Sequence, residues 1–444
     1  MNIPEQKKTI RFTGTVVLVH IVFFLLALVY KRIYMGDSME YIYEALNIKN
    51  YHFFYSGNPA MLIAPEYMTQ RQPLYPLFLL AIYLFSVNNW VVLVLQNALS
   101  VFNIVYMRKM LTSIGYDTRY DKWLLLLVCT YPAQFINANT IAPDILLQTF
   151  TLLYVGLFIR WLQEKDLKYA IYMSMALIGG MLVKPVLYPF VFVHIVIVIV
   201  TAARLHLQMQ RPVLVATVPL CAMLLYCYWN YTRTGKFHYS SNQAFNAVYY
   251  YYPYLSAKEG PDSAAHFLQH ERQIIASIPE YKDQYDYAND RGSELLHQNF
   301  ASYMAFHLKH SARILAEPGK AEIDLFTGKL TYGRLYSKEQ TGFKATLQQK
   351  GISGLWPYIS ANPSLIVAAV IFIFNLVRLI GMLLFLTRRN MHILVRLLTG
   401  GLVAYFALAA GPIANTRYFL PVSLLCAGCA VIGFQLYTSR KAAS

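Results

Sequence analysis

The sequence is poor in charged residues, and poorer still in acidic ones. Of its 444 residues only 14% are charged, and 38 Lys and Arg stand against 22 Asp and Glu. Soluble globular proteins contain about 25% charged residues and about 45–50% apolar ones. Because 57% of this chain is apolar, the shortage of charge excludes a soluble enzyme and predicts a protein that lies mostly in lipid.

Cysteine is also scarce, and nucleotide-binding motifs are missing. We expect no disulfide framework, because all five cysteines fall inside apolar runs where they cannot join loops outside a membrane. Cys426 and Cys429 form a C-x-x-C pattern between Ala and Gly, which we interpret as small packing residues. The chain has neither G-x-x-x-x-G-K nor G-x-G-x-x-G, so no motif supports nucleotide binding.

What the sequence does have is a series of long apolar runs. A membrane-spanning helix needs about 20 mostly apolar residues, and ten runs approach that length. They lie at 12–30, 90–107, 123–141, 145–161, 169–183, 186–203, 213–230, 364–387, 392–410 and 418–437. The sequence therefore predicts an all-α polytopic membrane protein, a bundle of about ten transmembrane helices.

Lys and Arg concentrate in alternate loops between these runs. Basic loops stay on the cytoplasmic side of a membrane. With the N-terminus inside, the inner loops carry Arg108, Lys109, Arg119, Lys122, Lys165, Lys168, Arg204, Arg211, Arg388 and Arg389, and the tail carries Arg440 and Lys441. This pattern predicts a plasma (inner) membrane protein with both termini in the cytoplasm. Anionic lipid headgroups explain the net charge of +16 without a nucleic acid partner.

Two large segments then lie outside the membrane. The apolar run 74–87 is too short to span, and counting it as a span would move the basic loop 108–122 to the outer side, so we interpret it as interfacial or re-entrant. The predicted domains are a membrane module at 1–230 with its outer loop at 31–89, an extracytoplasmic domain at 231–362 and C-terminal membrane helices at 363–444.

An acidic residue, Asp37, follows the first run and precedes a short amphipathic segment. With Glu40 three residues further on, it can cap a helix that lies on the membrane surface. A carboxylate held at the lipid–water boundary is also well placed as a general base for a substrate that arrives on a lipid. The local sequence leaves both interpretations open.

Further charges fall at the same predicted boundary. Asp144 opens a helix, where it favours the helix dipole or shares a site with Asp37. Arg71 can bind phosphate through a bidentate guanidinium or reach to lipid headgroups. Lys184 and Arg417 bring two more cations to this level, as site residues or as interfacial anchors.

The segment after the seventh run is rich in Tyr and in amides, which include Asn242 and Asn246. It fits an aromatic belt as well as a sugar-binding cleft. His266 and His270, with Glu271 beside them, have a spacing that can bind zinc, but no third ligand is evident. We predict no metal site and no cofactor, and a divalent metal stays an alternative that no motif indicates.

In this order, the motifs resemble the GT-C superfamily of integral membrane glycosyltransferases, in the branch of protein O-mannosyltransferases and the lipid A aminoarabinose transferase. They are Gly36-Asp37-Ser38, Arg71-Gln72-Pro73-Leu74-Tyr75-Pro76, Tyr131-Pro132, Pro143-Asp144, Leu182-Val183-Lys184-Pro185 and Arg417-Tyr418-Phe419-Leu420-Pro421. The resemblance implies an inverting transfer of a sugar from a polyprenyl-phosphate donor to a lipid, glycan or protein acceptor on the outer face.

The resemblance also implies roles for individual residues. Asp37 is the expected catalytic carboxylate, and Asp144 a second acidic residue that orients the acceptor or the base. Arg71, with Lys184 and Arg417, is expected to bind the donor phosphate. The substrate-binding residues that we expect are Glu40, Tyr41, Tyr75, Asn242 and Asn246. Two positions depart from the pattern, since relatives commonly have Arg at the position of Lys184 and Glu at that of Asp144.

Two other functions stay open at this point. A transporter or flippase of lipid-linked sugars needs polar groups within the bilayer, and Arg378 and His194 fall inside apolar runs. A membrane glycan ligase or polymerase would share the outer site but transfer a whole glycan. The sequence leaves the sugar, the acceptor, the prenyl length and the oligomeric state undetermined.

Overall fold

Helices make up the fold of the described residues, which in this computed structural model are 3–330, 346–347 and 351–441. No strand is found in these residues, apart from an isolated bridge between Tyr34 and Ile141. The first helices are α1 (Ile3–Tyr30), α2 (Ser38–Tyr51), α3 (Leu74–Tyr83), α4 (Asn89–Thr112), α5 (Asp121–Cys129), α6 (Ala133–Ala138), α7 (Asp144–Glu164), α8 (Lys168–Val183), α9 (Phe190–Arg204) and α10 (Gln210–Thr234). The predicted all-α class is confirmed.

A group of shorter helices follows α10 and precedes the last membrane helices. It comprises α11 (Asn242–Tyr249), α12 (Tyr251–Glu259), α13 (Pro261–Ser277), α14 (Tyr281–Gln298), α15 (Phe300–Arg313), α16 (Lys320–Phe326) and α17 (Leu355–Ala361). The chain ends with α18 (Ser364–Thr387), α19 (Ile393–Ala410) and α20 (Thr416–Lys441). That residues 231–362 form a domain of their own stays a prediction.

Seven helices of the described chain are long and apolar enough to cross a membrane: α1, α4, α7, α10, α18, α19 and α20. Helices α8 and α9 are apolar too but have 16 and 15 residues. Helix α3, with 10 residues, is too short to span, as predicted. The chain is therefore a multi-pass membrane protein.

One of the predicted membrane-spanning runs does not form a continuous helix, so that prediction is wrong. The run 123–141 divides into α5 and α6, which are separated at Thr130, Tyr131 and Pro132. Proline has no N–H to donate, and it disfavours helical geometry in the residue before it. The apolar composition of the run was visible in the sequence, but the break follows from this single residue.

Arg378 of α18 fills the gap that this break leaves. Its Nε donates to the carbonyl of Leu127 at 3.0 Å, and its Nη2 donates to the hydroxyl of Thr130 at 2.7 Å. The Nη1 atom donates to the side chain of Asn375. The carbonyls at the end of a helix need donors, so the buried guanidinium has a structural role inside the bundle.

Helix α20 lies at the centre of the bundle, with 83% of its spanning window buried. Gly433 packs so closely on α18 that a Cβ would overlap the carbonyl oxygen of Gly381. On another side, Gln148 of α7 donates to the carbonyl of Leu420 at 2.8 Å. Small residues and buried amides are the usual means by which membrane helices associate. Helix α20 is thereby fixed relative to α7 near its start and relative to α18 near its end.

The break at Pro132 generates a stability prediction. We expect Arg378→Met to lower the free energy of unfolding by about 3 kcal/mol, because the carbonyl of Leu127 and the side chain of Asn375 lose a charged partner while buried. Thermal unfolding of the detergent-solubilised protein measures the effect. The exposed Arg389 gives the matched control Arg389→Met. Equal stability of the two variants would contradict this role of Arg378.

Candidate active site

Two loops at one end of the bundle are tied together by hydrogen bonds. The N–H of Ile141 donates to the carbonyl of Ile33 at 2.8 Å. The hydroxyl of Ser38 donates to the carbonyl of Ile141 at 2.6 Å. These contacts bring Asp37, which precedes α2, next to Asp144, the first residue of α7.

The side chain of Arg417, in the first turn of α20, bridges these two carboxylates. Its Nη1 and Nη2 donate to the two oxygens of Asp37 at 2.9 and 2.8 Å. Its Nε donates to Asp144 at 2.6 Å, and Lys184 donates to the other oxygen of Asp144 at 2.8 Å. Asp37 makes no side-chain capping bond. The four side chains that the sequence placed at one boundary therefore meet in one cluster.

Arg71 joins the cluster from the loop before α3. Its Nη1 lies 3.9 Å from Asp37, and its guanidinium also forms an ion pair with Glu40. The same guanidinium lies over the ring of Tyr41, 5.1 Å from the centroid. Tyr41 packs edge-on against Tyr75, and both are buried. Tyr41 therefore packs against the guanidinium of Arg71, and Tyr75 packs against Tyr41.

The cluster is balanced in charge and mostly withdrawn from water. Three carboxylates face three cations, and their side chains are between 0% and 25% exposed. Burial on its own raises the pKa of Asp37, but Arg417, Arg71 and Lys184 together hold that pKa well below its usual range. At Glu40 burial outweighs the attraction of Arg71 and raises the pKa.

A cavity of about 600 Å³ opens on one side of the cluster. Asp37 and Arg71 line it from the loops before α2 and α3, Arg417 lines it from the first turn of α20, and Asn242 and Asn246 line it from α11. Asp144, Lys184 and Glu40 are in contact with these charges but are not part of the cavity wall. In the cavity wall, the carboxylate of Asp37 and the guanidinium groups of Arg71 and Arg417 thus lie beside the amides of α11.

Some residues of the cavity wall were missed in the sequence. Glu322 of α16 lines it and accepts a hydrogen bond from the hydroxyl of Thr416 at 2.5 Å. Nothing local marks Glu322, because its partner is 94 residues away. Asn415 also lines the wall, and its side chain accepts from the N–H of Arg417 at 2.9 Å. Because Asn415 precedes Arg417 by only two residues, the sequence could have identified it as a candidate site residue.

The described residues contain no group of three or more His, Cys, Asp or Glu side chains placed to hold a metal ion. Glu271, next to the histidine pair His266 and His270, accepts hydrogen bonds from Arg291 and Tyr287, both at 2.9 Å. The carboxylate of Glu271 is therefore engaged by a phenol and a guanidinium.

Comparison with known proteins finds similarity to solved structures. No family model and no curated protein matches the sequence. The chain is similar to ArnT from Cupriavidus metallidurans bound to undecaprenyl phosphate, with 14% identity and a TM-score of 0.39, over 95% of this chain and 78% of that one. ArnT in the apo state matches at 14% identity with a TM-score of 0.35, over 93% and 77%.

At such identity and TM-scores, this similarity carries no argument about family, substrate or mechanism. The chemistry of the site follows from the side chains of this chain.

A second buried carboxyl lies one turn further along α2. Glu44 is 3% exposed, and its Oε2 has no hydrogen-bond partner in the described residues. Burial raises the pKa of Glu44 from 4.5 to about 8, although Arg233 and Arg71 act in the opposite direction. A raised carboxyl pKa stabilises the folded protein at low pH, and this stabilisation is lost as pH rises towards 8.

We therefore expect Glu44→Gln to stabilise the protein relative to wild type progressively as pH rises from 5 to about 8.5, because Gln stays neutral. Thermal unfolding at several pH values measures the difference. Glu259, which is exposed, provides the control Glu259→Gln, for which we expect no such trend. A constant difference between Glu44→Gln and wild type across this range would show that Glu44 is not a buried neutral carboxyl.

Proposed function

We propose that this chain is an inverting glycosyltransferase that moves a sugar from a polyprenyl-phosphate donor to an acceptor hydroxyl on the outer face of the membrane. One observation carries the proposal: a carboxylate, Asp37, and two guanidinium groups, Arg71 and Arg417, line the same cavity at one end of the helical bundle. This set provides a proton acceptor beside a binding site for phosphate.

The proposed step uses these groups as follows. Asp37 accepts the proton of the acceptor hydroxyl while the hydroxyl oxygen forms a bond to the anomeric carbon. The bond from that carbon to the phosphate oxygen breaks, and its electron pair leaves with the polyprenyl phosphate. The phosphate gains one negative charge, which Arg71 and Arg417 stabilise electrostatically. Attack on the face opposite the leaving group inverts the anomeric centre.

The donor phosphate also changes the basicity of Asp37 in this proposal. Arg417 holds both oxygens of Asp37, which keeps the carboxylate ionised but makes it a weak base. A phosphate that takes over part of the hydrogen bonding of Arg417 would let the pKa of Asp37 rise towards its ordinary value. Asp144 and Lys184, behind the cavity wall, would keep Arg417 oriented during this exchange.

The transporter alternative is weakened by the positions of the two polar residues within the bundle. Arg378 is engaged with the end of α5, as described above. His194 bonds through its two ring nitrogens to the hydroxyls of Tyr154 at 2.9 Å and Ser174 at 3.1 Å. Both side chains form hydrogen bonds with groups of neighbouring helices, and neither lines the cavity at the cluster. A polar path through the bilayer is therefore not supported by them.

The size of the cavity bears on the ligase or polymerase alternative. About 600 Å³ lies within the range of small-molecule pockets, about 300–1,000 Å³. A single sugar with its phosphate suits this volume better than a long glycan does.

The outer-face assignment is supported by the distribution of charge. The cluster lies at the opposite end of α4 and α7 from Arg108, which pairs with Asp121 at 2.8 Å, and from the basic loops at that end. Cytoplasmic loops carry the excess of Lys and Arg, so the cluster belongs to the outer side of the plasma membrane. A donor embedded in the bilayer reaches it there without a soluble carrier.

Replacement of the proposed base tests the proposal. We expect Asp37→Asn to lower the release of polyprenyl phosphate from a panel of polyprenyl-phosphate sugars by at least about 100-fold, the usual contribution of a general base. The assay uses purified protein with candidate acceptors. The exposed Asp290 gives the control Asp290→Asn, for which we expect wild-type turnover. Full turnover by Asp37→Asn with a competent donor and acceptor would overturn the role of Asp37.

A further inference from the structure

A second cavity, of about 640 Å³, adjoins the first one. It lies between the loop of residues 62–66, the end of α10 and the helices α13 and α14. Its wall includes Arg233, Arg272 and Lys282. Tyr249 lines both cavities, so a ligand in the second cavity lies one side chain away from the catalytic cavity.

The cations of the second cavity differ from those of the cluster in their partners. In the described part of the chain, no ion pair is found for Arg272 or Lys282. The guanidinium of Arg272 lies over the ring of Tyr249, 5.4 Å from its centroid. The Nε of Arg233 is buried without a hydrogen-bond partner. Arg233 already donates from Nη2 to the side chain of Asn230 at 2.6 Å and from Nη1 to the carbonyl of Phe54 at 3.5 Å. Arg272 and Lys282 are therefore the cations available to an anion, whereas each cation of the cluster already has a carboxylate.

Two carboxylates share the wall with these cations. Glu66 and Glu280 line the cavity, which leaves three cations against two acids. Burial raises the pKa of Glu66, which reduces its tendency to carry a charge. The cavity therefore favours a negatively charged ligand, and the two acids are placed to accept hydrogen bonds from hydroxyl groups near that charge.

The surroundings of the cavity are those of a membrane surface. Tyr228 and Tyr231, near the end of α10, are 60% and 49% exposed, and exposed tyrosines of this kind mark the lipid–water boundary. The loop tip beside the cavity is apolar and open, with Met61 at 70% and Leu62 at 94% exposed. The cations of the cavity thus lie next to the exposed apolar side chains of Met61 and Leu62, at the level of lipid headgroups.

We propose that the second cavity binds the phosphate group of a membrane amphiphile. Arg272 and Lys282 contact the phosphate, and the loop tip at Met61 and Leu62 contacts the apolar chain. Because Tyr249 separates this cavity from the catalytic one, the bound amphiphile lies beside the site of sugar transfer. This binding does not depend on the proposed transferase activity, since the amphiphile need not carry a sugar.

Binding of dihexanoyl phosphatidic acid to the detergent-solubilised full-length protein tests this proposal by calorimetric titration. The test variant is the double substitution Arg272→Gln with Lys282→Gln. The control is Lys309→Gln with Arg313→Gln, which removes the same two charges from the exposed face of α15. We expect at least tenfold weaker binding in the test variant and unchanged binding in the control. Thermal unfolding verifies that both variants fold.

Two further titrations distinguish binding in the second cavity from binding in the first, and binding of a lipid from binding of free phosphate. Arg71→Gln alters the first cavity, and we expect it to retain the component of phosphatidic acid binding that the Arg272→Gln, Lys282→Gln variant loses. Inorganic phosphate is expected to bind at least tenfold more weakly than the lipid. Wild-type affinity in the Arg272→Gln, Lys282→Gln variant would overturn the site, and equal affinity for inorganic phosphate would overturn the choice of an amphiphile.

Discussion

The bridge that Arg417 forms between Asp37 and Asp144 is the contact on which the arrangement of the site depends. Taking these charges out of water is costly unless each is paired, and Asp144 is completely buried. One guanidinium pairs with a carboxylate from the loop before α2 and with another at the start of α7. The N-terminal and C-terminal parts of the chain are thus joined at the cavity, and the central position of α20 in the bundle holds the guanidinium there.

This constraint connects the stability of the site with its proposed chemistry. Charge balance keeps the cluster folded, yet it also lowers the pKa of Asp37 and so its strength as a base. A ligand with negative charge can relax that restraint by sharing Arg417 and Arg71. The donor phosphate would then prepare the base that its own transfer requires, while Lys184 stays paired with Asp144. Among the described residues, no salt bridge joins the cations and the acids that line the second cavity, so the two adjacent cavities are proposed to bind anions in different ways.

The sequence predicted the parts of this account that depend on composition and order. Apolar runs predicted the all-α membrane fold, and charges at the ends of those runs predicted that Asp37, Asp144, Lys184 and Arg417 share one boundary. The break at Pro132 was missed because the first half of the run 123–141 is strongly apolar, and the effect of one proline was outweighed by composition. Contacts between distant residues, such as Glu322 with Thr416, have no local signal in a single sequence.

The central claim is that Arg417 and Arg71 exchange a carboxylate for the donor phosphate. A cryo-electron microscopy structure of the full-length protein with bound polyprenyl phosphate tests it most directly. We expect phosphate oxygens within hydrogen-bonding distance of both guanidinium groups, and a longer distance between Arg417 and Asp37 than the 2.8 Å in the present structure. A phosphate bound away from the cluster, with the pairing of Arg417 and Asp37 intact, would contradict the account.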